Sequence, residues 1–410
     1  PVMGAHGPRE LHCVVLDNGR TEMLADPLFA DALTCVRCGA CSNACPPFMA
    51  VGGHQFGHIY TGPIGLVLTP FHHGMEAAEL PNSLCTQCNA CQEICPVDIP
   101  LPRQILEHRR RGHRKTLAKR ALLRLWSRHR LAQAGMRLAA PVARFVPVGP
   151  MPLAPRPYRS RFRPGGSGPP VTVFASCLVD RMLPEAGEAL ERILRAAGHR
   201  VEFPTAQWCC GLISSNAGDF SRGARLLDRL VGALDGSEGP IVTPSASCFG
   251  AVTIDSLEWD GSASPAAASV RERMRDSTRF VLGLLEARPA LVSPAAGGRR
   301  RVAYHDSCQS VRQLGLAREP RRVLELAGYE VVDLPDIANC CGFGGTFSMD
   351  WPEVADRLAR WKLDAVAKTG CPVLASDNPG CLVHIRSAAR RRRLDLRVAH
   401  VLELVAERLA

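Results

Sequence analysis

The hydrophobic pattern of residues 171–410 repeats one order of elements twice. Apolar, β-branched runs that end at Cys177 and Cys308 indicate strands, and the amphipathic stretches after them indicate helices. In each half there follow a short strand, a CC-G loop, another helix and a strand that ends at Cys248 or Cys381. Because strands that alternate with helices form βαβ units, we predict a duplicated α/β body with parallel sheets.

The cysteines of the two halves share one spacing. Thirty-two positions separate Cys177 from Cys209 and also Cys308 from Cys340, and the halves are offset by 131 residues, with a drift of two at the last cysteine. A repeated interval of this length indicates an internal duplication. Since sites in parallel sheets form beyond the carboxyl ends of the strands, the cysteines of the body should converge there.

The N-terminal third has a different pattern. The run LHCVVLDN is strand-like, and LADPLFADAL is helix-like, with Pro27 suited to a helix N-terminus. Two cysteine-rich runs follow, CVRCGACSNACP and CTQCNACQEICP, each with the spacing C-x2-C-x2-C-x3-C-P. This spacing holds [4Fe–4S] clusters in bacterial ferredoxins, and the competing interpretations, structural zinc or disulfides, also use C-x2-C pairs.

Three closely spaced thiolates bind three corners of a cluster, and the fourth cysteine of each run ligates the other cluster in two-cluster ferredoxins. We therefore assign one cluster to Cys35, Cys38, Cys41 and Cys95, and the second to Cys85, Cys88, Cys91 and Cys45. Thirty-nine residues separate Cys45 from Cys85, which favours an α-helical two-cluster ferredoxin module over the compact β type. The Gly-rich, aromatic insert between the two cysteine runs, VGGHQFGHIYTGPIGLVLTPF, predicts a loop packed across one cluster.

The duplicated cysteines also favour iron. Adjacent cysteines do not easily form a disulfide with each other, and a vicinal pair is unusual for zinc, so four thiolates from three loops suit an iron–sulfur cluster. The candidate ligands of the two halves are Cys177, Cys209, Cys210 and Cys248, then Cys308, Cys340, Cys341 and Cys381. The alternative is that these cysteines are buried as small hydrophobic residues. Cys13 and Cys371 have no counterpart, and we expect ordinary buried thiols.

Histidines near the cysteines have two interpretations. His54, His58, His72 and His73 could ligate a cluster, but eight cysteines already fill both clusters, which favours packing roles. His305 and Asp306 could transfer protons to a bound acceptor, or they could hydrogen-bond the loop that holds the cluster. We favour the second role, and we assign no catalytic residue.

Composition bounds the domain count and the compartment. The 410 residues, 46% of them hydrophobic, predict two to four domains with real cores. Eighteen cysteines are too sparse for a disulfide scaffold, so metal binding in a reducing cytoplasm is favoured. We see no leader pattern and no apolar run long enough for a transmembrane segment. We expect a cytoplasmic protein, with contact to the inner face of the membrane left open.

The net charge of +11 is concentrated in one run. Between Arg103 and Arg137 lie twelve Lys and Arg and a single acid, Glu107. Part of this run suits a basic amphipathic helix, with Trp126 on its apolar side, at an anionic membrane surface; we expect no nucleic-acid partner. The alternative is a solvated helix that packs against the ferredoxin module or a partner.

These patterns predict six segments. They are a tail (1–34), a ferredoxin module (35–102), a basic helical segment of one or two helices (103–145), a Pro/Gly-rich linker (146–170), a first half (171–290) and a second half (300–410).

The CC-G halves resemble the cysteine-rich CCG domain of heterodisulfide reductases, glycolate oxidase iron–sulfur subunits and lactate-utilisation proteins. That family's fuller pattern ends in C-x-x-C, whereas Ser245 and Asn378 stand here at the first position. Each half therefore keeps four cysteines, which argues against the five-thiolate noncubane cluster of heterodisulfide reductases. YHDSCQSVRQLGL, DLPDIANCCGFGGTFS and HVLELVAERLA look closest to the smaller lactate-utilisation iron–sulfur protein.

The N-terminal third resembles a second protein of the same pathway. Its cysteine runs and insert are similar to the ferredoxin segment of the larger lactate-utilisation iron–sulfur protein, and GPRELHCVVLDNGRTEMLAD is similar to the end of the LUD domain that precedes that segment. The resemblance implies a fusion of the two proteins that lacks most of the LUD domain.

The resemblance implies an electron-transfer subunit of a system that oxidises a 2-hydroxy acid, with L-lactate as first choice. It implies two [4Fe–4S] clusters in the ferredoxin module and up to two further iron–sulfur clusters in the CCG halves. The substrate site would lie on a partner subunit or a missing domain. The acceptor stays open, with a quinone or a cytochrome chain as candidates. The alternatives are a glycolate oxidase iron–sulfur subunit, or an enzyme that reduces a disulfide or quinone at a CCG cluster.

Overall fold

The structure is a computed structural model that describes residues 10–56, 60–112, 117–128, 135, 153–259, 264–293, 300–335 and 340–410. His58 of the insert and most of the basic run beyond residue 128 lie outside these ranges.

The described N-terminal part is helical, as predicted. Its helices are α1 (Arg20–Ala25), α2 (Ala40–Asn43), α3 (Pro46–Val51), α4 (Gly62–His73), α5 (Met75–Ser83), α6 (Ala90–Glu93), α7 (Leu101–Gly112) and α8 (Leu117–Ser127), with 3₁₀ turns at Ala30–Thr34 and Gly53–Gln55.

The insert between the cysteine runs differs from the prediction. Much of the expected loop is α4, an α-helix whose residues from Gly62 to Thr69 are buried. Its glycines suggested a loop, but Gly65 serves close packing, because a Cβ there would lie 1.8 Å from the carbonyl oxygen of Tyr60. The apolar run in this insert is therefore core of the ferredoxin module.

The segment before the first cysteine run also differs from the prediction. The strand-like run at 11–18 forms no strand within the described residues, and Val14 is 88% exposed. The helix-like stretch that follows is split. Helix α1 ends at Ala25, before Pro27, and a 3₁₀ turn begins at Ala30. An apolar, β-branched run alone does not make a strand when no neighbouring strand pairs with it.

The C-terminal body alternates strands and helices in each half. The first half contains β1 (Pro170–Val173), α10 (Ser176–Met182), α11 (Pro184–Ala196), β2 (Arg200–Glu202), α12 (Leu212–Asn216), α13 (Phe220–Leu234), β3 (Ile241–Thr243), α14 (Ala246–Thr253), a 3₁₀ turn (Asp255–Glu258), α15 (Pro265–Arg273), β4 (Met274–Asp276), α16 (Ser277–Ala287) and a 3₁₀ turn (Pro289–Leu291). A short helix, α9 (Tyr158–Arg161), precedes it.

The second half repeats this order. It contains β5 (Arg300–Tyr304), a π-helical turn (Gln309–Gln313), α17 (Glu319–Leu326), β6 (Tyr329–Asp333), α18 (Phe347–Asp350), α19 (Pro352–Thr369), β7 (Val373–Ser376), α20 (Pro379–Arg391), β8 (Arg397–His400) and α21 (Val401–Ala406).

Each half forms a parallel four-stranded sheet, and the two sheets have equivalent strand orders, β2-β1-β3-β4 and β6-β5-β7-β8. The central pairs bring Thr172 opposite Ile241 and Ala303 opposite Leu374. The predicted duplicated α/β fold is confirmed. The fourth strand of each half, β4 or β8, was not predicted, because three or four residues give too little pattern.

The two halves pack together along equivalent helices. Helix α11 contacts α21, and α16 contacts α17, so each half contributes the helix before its second strand and the helix after its fourth strand. Arg192 of α11 donates a hydrogen bond to the Ala406 carbonyl across the first pair, at 3.0 Å. The chain end also pairs with the segment between the halves through a bridge from Val292 to Leu409.

The described end of the predicted linker packs on the first half. Tyr158 of α9 is fully buried against Phe203, with ring centroids 5.1 Å apart. The Arg159 guanidinium lies 2.7 Å from the buried carboxylate of Asp180. Residues 153–169 therefore pack on the first half and do not act as a spacer between it and the preceding segment.

The ferredoxin module shares a core with the second half. Ile99 and Leu101 of the module belong to the same buried cluster as Phe347, Val354 and Leu358. Polar contacts add to this interface: the Trp351 indole N–H donates to Ser83 Oγ at 2.8 Å, and Arg312 pairs with Glu93 at 2.5 Å. The module and the CCG body therefore form one packed unit.

Arg109 of α7 connects the module to the first half. Its buried guanidinium donates to the carbonyl oxygens of Asn82 and Cys85 in the module, and to that of Asn216 in α12 at 2.9 Å. Burial lowers the pKa of Arg109, and the nearby Cys85 thiol opposes that effect. One side chain thus holds three backbone segments in place, two in the module and one in the first half.

Across the described residues we find no helix with the length and apolar character that crossing a bilayer requires.

Replacing Arg109 with Met should destabilise the protein by about 3 kcal/mol, because carbonyl groups at a buried interface lose charge-assisted hydrogen bonds. Urea unfolding followed by tryptophan fluorescence measures this loss. Arg103→Met on the same helix is the matched control, since Arg103 is 58% exposed and pairs with the half-exposed Glu258. That variant should change the unfolding free energy by less than about 1 kcal/mol. Equal effects of the two variants would contradict the role of Arg109.

Candidate iron–sulfur centres

The two cysteine runs of the ferredoxin module have the same backbone conformation. Arg37 and Gln87 occupy equivalent positions with φ of 58° and 56°, and Gly39 and Asn89 follow with φ of 76° and 61°. Left-handed conformations cost non-glycine residues roughly 1–2 kcal/mol each. Strain of this kind persists where the surroundings impose it, typically at binding sites. The repeated conformation fits loops shaped to wrap a bound group.

The structure places Cys45 of the first run among cysteines of the second run. Cys45, Cys85, Cys88 and Cys91 line one small cavity, which Pro63, Leu66 and Ile105 close on the apolar side. Helix α3 begins directly after Cys45 with Pro46, whose fixed φ suits a first helical position. This is the set that we assigned to the second cluster, and its role in ligation stays a prediction.

The other set of the module lies nearer the surface. Cys41 is buried and neighbours Cys35, whereas Cys38 is exposed. The Ile99 N–H donates to Cys95 Sγ at 3.4 Å, and in the other set the Gln87 N–H donates to Cys85 Sγ at the same distance. Such donors stabilise thiolates and tune the potentials of iron–sulfur clusters.

Burial makes three thiols of the second set, those of Cys45, Cys88 and Cys91, hard to ionise without a cation. It raises the pKa of Cys45 and of Cys91 well above the usual value. Burial, reinforced by the neighbouring Cys340 thiol, raises the pKa of Cys88 to about 11. Metal ligation deprotonates a thiol outright, so a bound iron centre relieves this cost. The thiol set therefore fits an iron–sulfur cluster, which would be held by Cys45, Cys85, Cys88 and Cys91.

All eight cysteines of the duplicated halves line one cavity of about 170 Å³ between the two sheets. They are Cys177, Cys209, Cys210, Cys248, Cys308, Cys340, Cys341 and Cys381. The structure thus brings both sets together beyond the carboxyl ends of the strands, where the parallel topology requires them. The rest of the wall is largely apolar and includes Trp126, Ile213 and Phe343.

The thiols of the first half form a chain of contacts. Cys210 Sγ lies 3.5 Å from Cys248 Sγ, and the Gly211 N–H donates to Cys209 Sγ at 3.4 Å. A hydrogen bond from Cys177 lowers the pKa of Cys209 well below its usual value.

The second half repeats the arrangement. A hydrogen bond from Cys308 lowers the pKa of Cys340, and the Gly342 N–H donates to Cys340 Sγ at 3.3 Å. Four mutually close thiols in each half fit an iron–sulfur cluster, with ligation again a prediction.

The glycine of each CC-G loop is required by the helix packed against it. Gly342 has φ of 89°, and a Cβ there would lie 2.6 Å from the Ala355 carbonyl oxygen of α19. Gly211 has φ of 96°, and its Cβ would lie 2.4 Å from the Gly223 carbonyl oxygen of α13. Both a left-handed backbone and close helix packing therefore select glycine in these loops.

Ser245 and Asn378, which replace the first Cys of the family's C-x-x-C, are helix N-caps. Ser245 Oγ accepts from the Cys248 N–H at 3.4 Å, and Asn378 Oδ1 accepts from the Gly380 N–H at 3.2 Å. Ser and Asn are favoured at this position because their oxygens satisfy amides of the first turn. These residues orient the helices that present Cys248 and Cys381.

Two expectations about single residues were wrong. Cys13 is exposed, although Cys371 is buried as expected. The Asp306 carboxylate forms an ion pair with Arg321 at 2.7 Å rather than a hydrogen bond to a cysteine loop. Of the insert's histidines, His72 donates from Nδ1 to the Asn18 carbonyl oxygen, at 2.6 Å.

Lys362, which no sequence pattern singled out, forms a buried polar wall with His305. The two ring nitrogens of His305 and the Nζ atom of Lys362 are buried. None of these three atoms has a hydrogen-bond partner among the residues that the structure describes. A His305 nitrogen and the sulfurs of Cys341 and Cys381 lie within 4.8 Å of one another. The predicted hydrogen bonding of His305 to the cysteine loop is thus not observed in its ring.

The pKa values of these two residues are shifted by burial. Burial lowers the pKa of His305 well below its usual range, and Lys362 adds to that effect. Burial also lowers the pKa of Lys362, while the thiols of Cys341, Cys340 and Cys381 oppose the shift. Buried polar groups without partners indicate a missing polar or charged occupant.

The basic segment is partly accounted for. Helix α8 packs on the first half, with Leu123 buried and the ring of Trp126 5.5 Å from that of Trp208. The Trp208 indole N–H donates to the Trp126 carbonyl at 3.1 Å. The apolar side of this helix therefore closes the cysteine cavity, as in our alternative of a packed helix, although it packs on the first CCG half rather than on the ferredoxin module.

Changing Gly342 to Ala should destabilise the protein by about 3 kcal/mol or more, because backbone strain adds to a steric clash with the Ala355 carbonyl. Gly370→Ala is the matched control, since its φ of 65° is also left-handed but no atom lies within 4 Å of a Cβ there. It should cost about 1 kcal/mol. Chemical unfolding of both variants measures the difference, and equal losses would show that packing against α19 does not constrain Gly342.

Comparisons with known proteins match the regions that carry these cysteines. Residues 31–99 match a 4Fe-4S dicluster domain, and residues 171–253 and 302–386 each match a cysteine-rich domain. Lactate utilization protein A of Bacillus cytotoxicus is 31% identical over 245 residues, covering 58% of this chain and 99% of that protein. The protein of the same name from Oceanobacillus iheyensis is 30% identical over 238 residues, covering 57% of this chain and 96% of that protein.

The matched relatives are thus covered almost completely, while this chain also carries a dicluster domain. Iron–sulfur clusters are the group that both kinds of matched domain and the thiol geometry have in common. The chain is an iron–sulfur electron-transfer protein that belongs to the lactate utilization protein A family.

Proposed function

We propose that this protein is the electron-transfer subunit of a cytoplasmic system that oxidises a 2-hydroxy acid, with L-lactate as the first choice. The names of the relatives support lactate. The observation that carries the proposal is the adjacency of the cysteine sets, because electron transfer requires centres that lie close together.

Four sets of cysteines would hold the clusters. They are Cys35, Cys38, Cys41 and Cys95; Cys45, Cys85, Cys88 and Cys91; Cys177, Cys209, Cys210 and Cys248; and Cys308, Cys340, Cys341 and Cys381. When bound, iron–sulfur clusters accept and release single electrons at potentials that charge, hydrogen bonds and solvent exposure set. The chain's contribution is to position and insulate the thiols.

The second set of the ferredoxin module faces the second half. The neighbouring Cys340 thiol contributes to the raised pKa of Cys88, and Cys88 in turn contributes to the raised pKa of Cys308, so these three thiols lie near one another. Arg312 lies beside Cys88 and Cys308 and pairs with Glu93, so its charge sits at this junction. The cysteine cavity then connects the second half to the first. The sets therefore follow one another from the module's exposed Cys38 to the first half.

A second candidate function is reduction of a small molecule, a disulfide or a quinone, in the cysteine cavity. The cavity shares Gln87, Leu212, Asn216 and Gln309 with a surface pocket of about 670 Å³. A shared wall of this kind gives a small acceptor access toward both cysteine sets. Turnover of such an acceptor by the purified chain, with dithionite as reductant, would favour this function over a relay.

Anaerobic purification with iron and sulfide counts tests the four sets. The full chain should hold about sixteen irons, and Cys341→Ala or Cys210→Ala should each remove about four, since a cubane cluster has four irons held by four thiolates. Cys371→Ala is the control, because Cys371 is a buried thiol outside the four sets. A count near eight in the unaltered chain would mean that the CCG halves hold no cluster.

Deleting the gene in its host tests the substrate. Growth on L-lactate should be lost while growth on glucose continues, and the unaltered gene, but not the Cys341→Ala gene, should restore it. Retained growth on L-lactate with lost growth on glycolate would replace lactate by glycolate in the proposal.

A further inference from the structure

The walls behind the two CCG cysteine sets differ in chemistry. Phe174 and His305 are equivalent, because each follows the first strand of its half and precedes the first cysteine by three residues. Gly223 and Ala355 are equivalent, since their carbonyls face the glycine of each CC-G loop. Seven residues further along the same helices stand Leu230 and Lys362. An apolar pair in the first half is therefore a polar pair in the second.

The first wall is part of the hydrophobic core. Phe174 is 0% exposed and Leu230 is 1% exposed, and both belong to a buried cluster that includes Cys210 and Cys248. The side chains of Phe174 and Leu230 can supply neither a charge nor a conventional hydrogen bond to those thiols.

The second wall is equally buried but polar, and it carries an amine and an imidazole. His305 and Lys362 are each 1% exposed. Burying an ammonium group costs several kcal/mol unless an anion compensates it. Asp306 favours the charged form of Lys362 but is already paired with Arg321. The thiols of Cys341, Cys340 and Cys381 favour that form more strongly. The negative charge that would compensate the Lys362 ammonium group therefore belongs to the second cysteine set.

We propose that Lys362, assisted by an N–H of His305, gives the second cysteine set a higher reduction potential than the first, so that electrons collect in the second half. This inference rests on the proposed function, because it requires clusters in both halves. A nearby positive charge stabilises the reduced, more negative state of a one-electron centre, and does so strongly where water is excluded. Electrons that arrive beside Cys88 would be retained at Cys340 and its neighbours.

Redox titration followed by EPR tests this proposal on the full chain, purified anaerobically. Cys341→Ala and Cys210→Ala first identify the signals of the second and first halves. Lys362→Met keeps the length of the side chain and removes its charge. The midpoint potential of the second-half signal should then fall by at least a tenfold change in equilibrium constant, which is about 59 mV for one electron. The first-half signal should stay unchanged.

Two further variants separate charge from packing. Lys362→Arg keeps the charge and should retain a potential close to that of the unaltered chain, and Leu230→Met, the matched change in the first half, should shift neither signal. If Lys362→Met does not retain iron in the second half, His305→Phe, which copies the first half, takes its place in the same titration. In the His305→Phe variant the midpoint potential of the second-half signal should also fall.

The outcomes distinguish the inference from the proposed function. A second-half potential that stays unchanged in Lys362→Met, with the iron count retained, overturns the inference and leaves the relay intact. A first-half potential above that of the second half in the unaltered chain also overturns it. An unaltered chain without iron in the CCG halves defeats the proposed function itself.

Discussion

Parallel strands require the loops that follow them to leave a sheet at one edge, and this constraint decides where the chemistry of the protein lies. In each half the first and third strands end just before a cysteine, and the CC-G loop follows the second strand. Because the halves pack through equivalent helices, the two edges face each other across one cavity. The ferredoxin module then covers the same side, so all the candidate centres lie in one region.

Much of this arrangement was predictable from the sequence. The strict spacing of the cysteines gave the duplication, the parallel sheets and the meeting of eight thiols, since period and strand order determine topology. The placement of Cys45 among cysteines of the other run also agreed with the spacing rule. These features depend on local pattern and on rules that admit few exceptions.

Other features depended on contacts that no local pattern records. Much of the insert forms helix α4 because its apolar residues are buried in the core of the module, although its glycines suggested a loop. The run LHCVVLDN is apolar and β-branched like a strand but has no partner strand among the described residues. The polar wall of the second half escaped notice because Lys362 looks like an ordinary charged residue on an amphipathic helix. Only its burial shows otherwise.

The position of Cys88 has a consequence for how the protein matures. This thiol is buried close to Cys340 of the second half and to Arg312, which pairs with Glu93 of the module. Under the proposed ligation, the docked CCG body would therefore cover part of the cluster held by Cys45, Cys85, Cys88 and Cys91. Insertion of that cluster would then be easier before the module docks than after it.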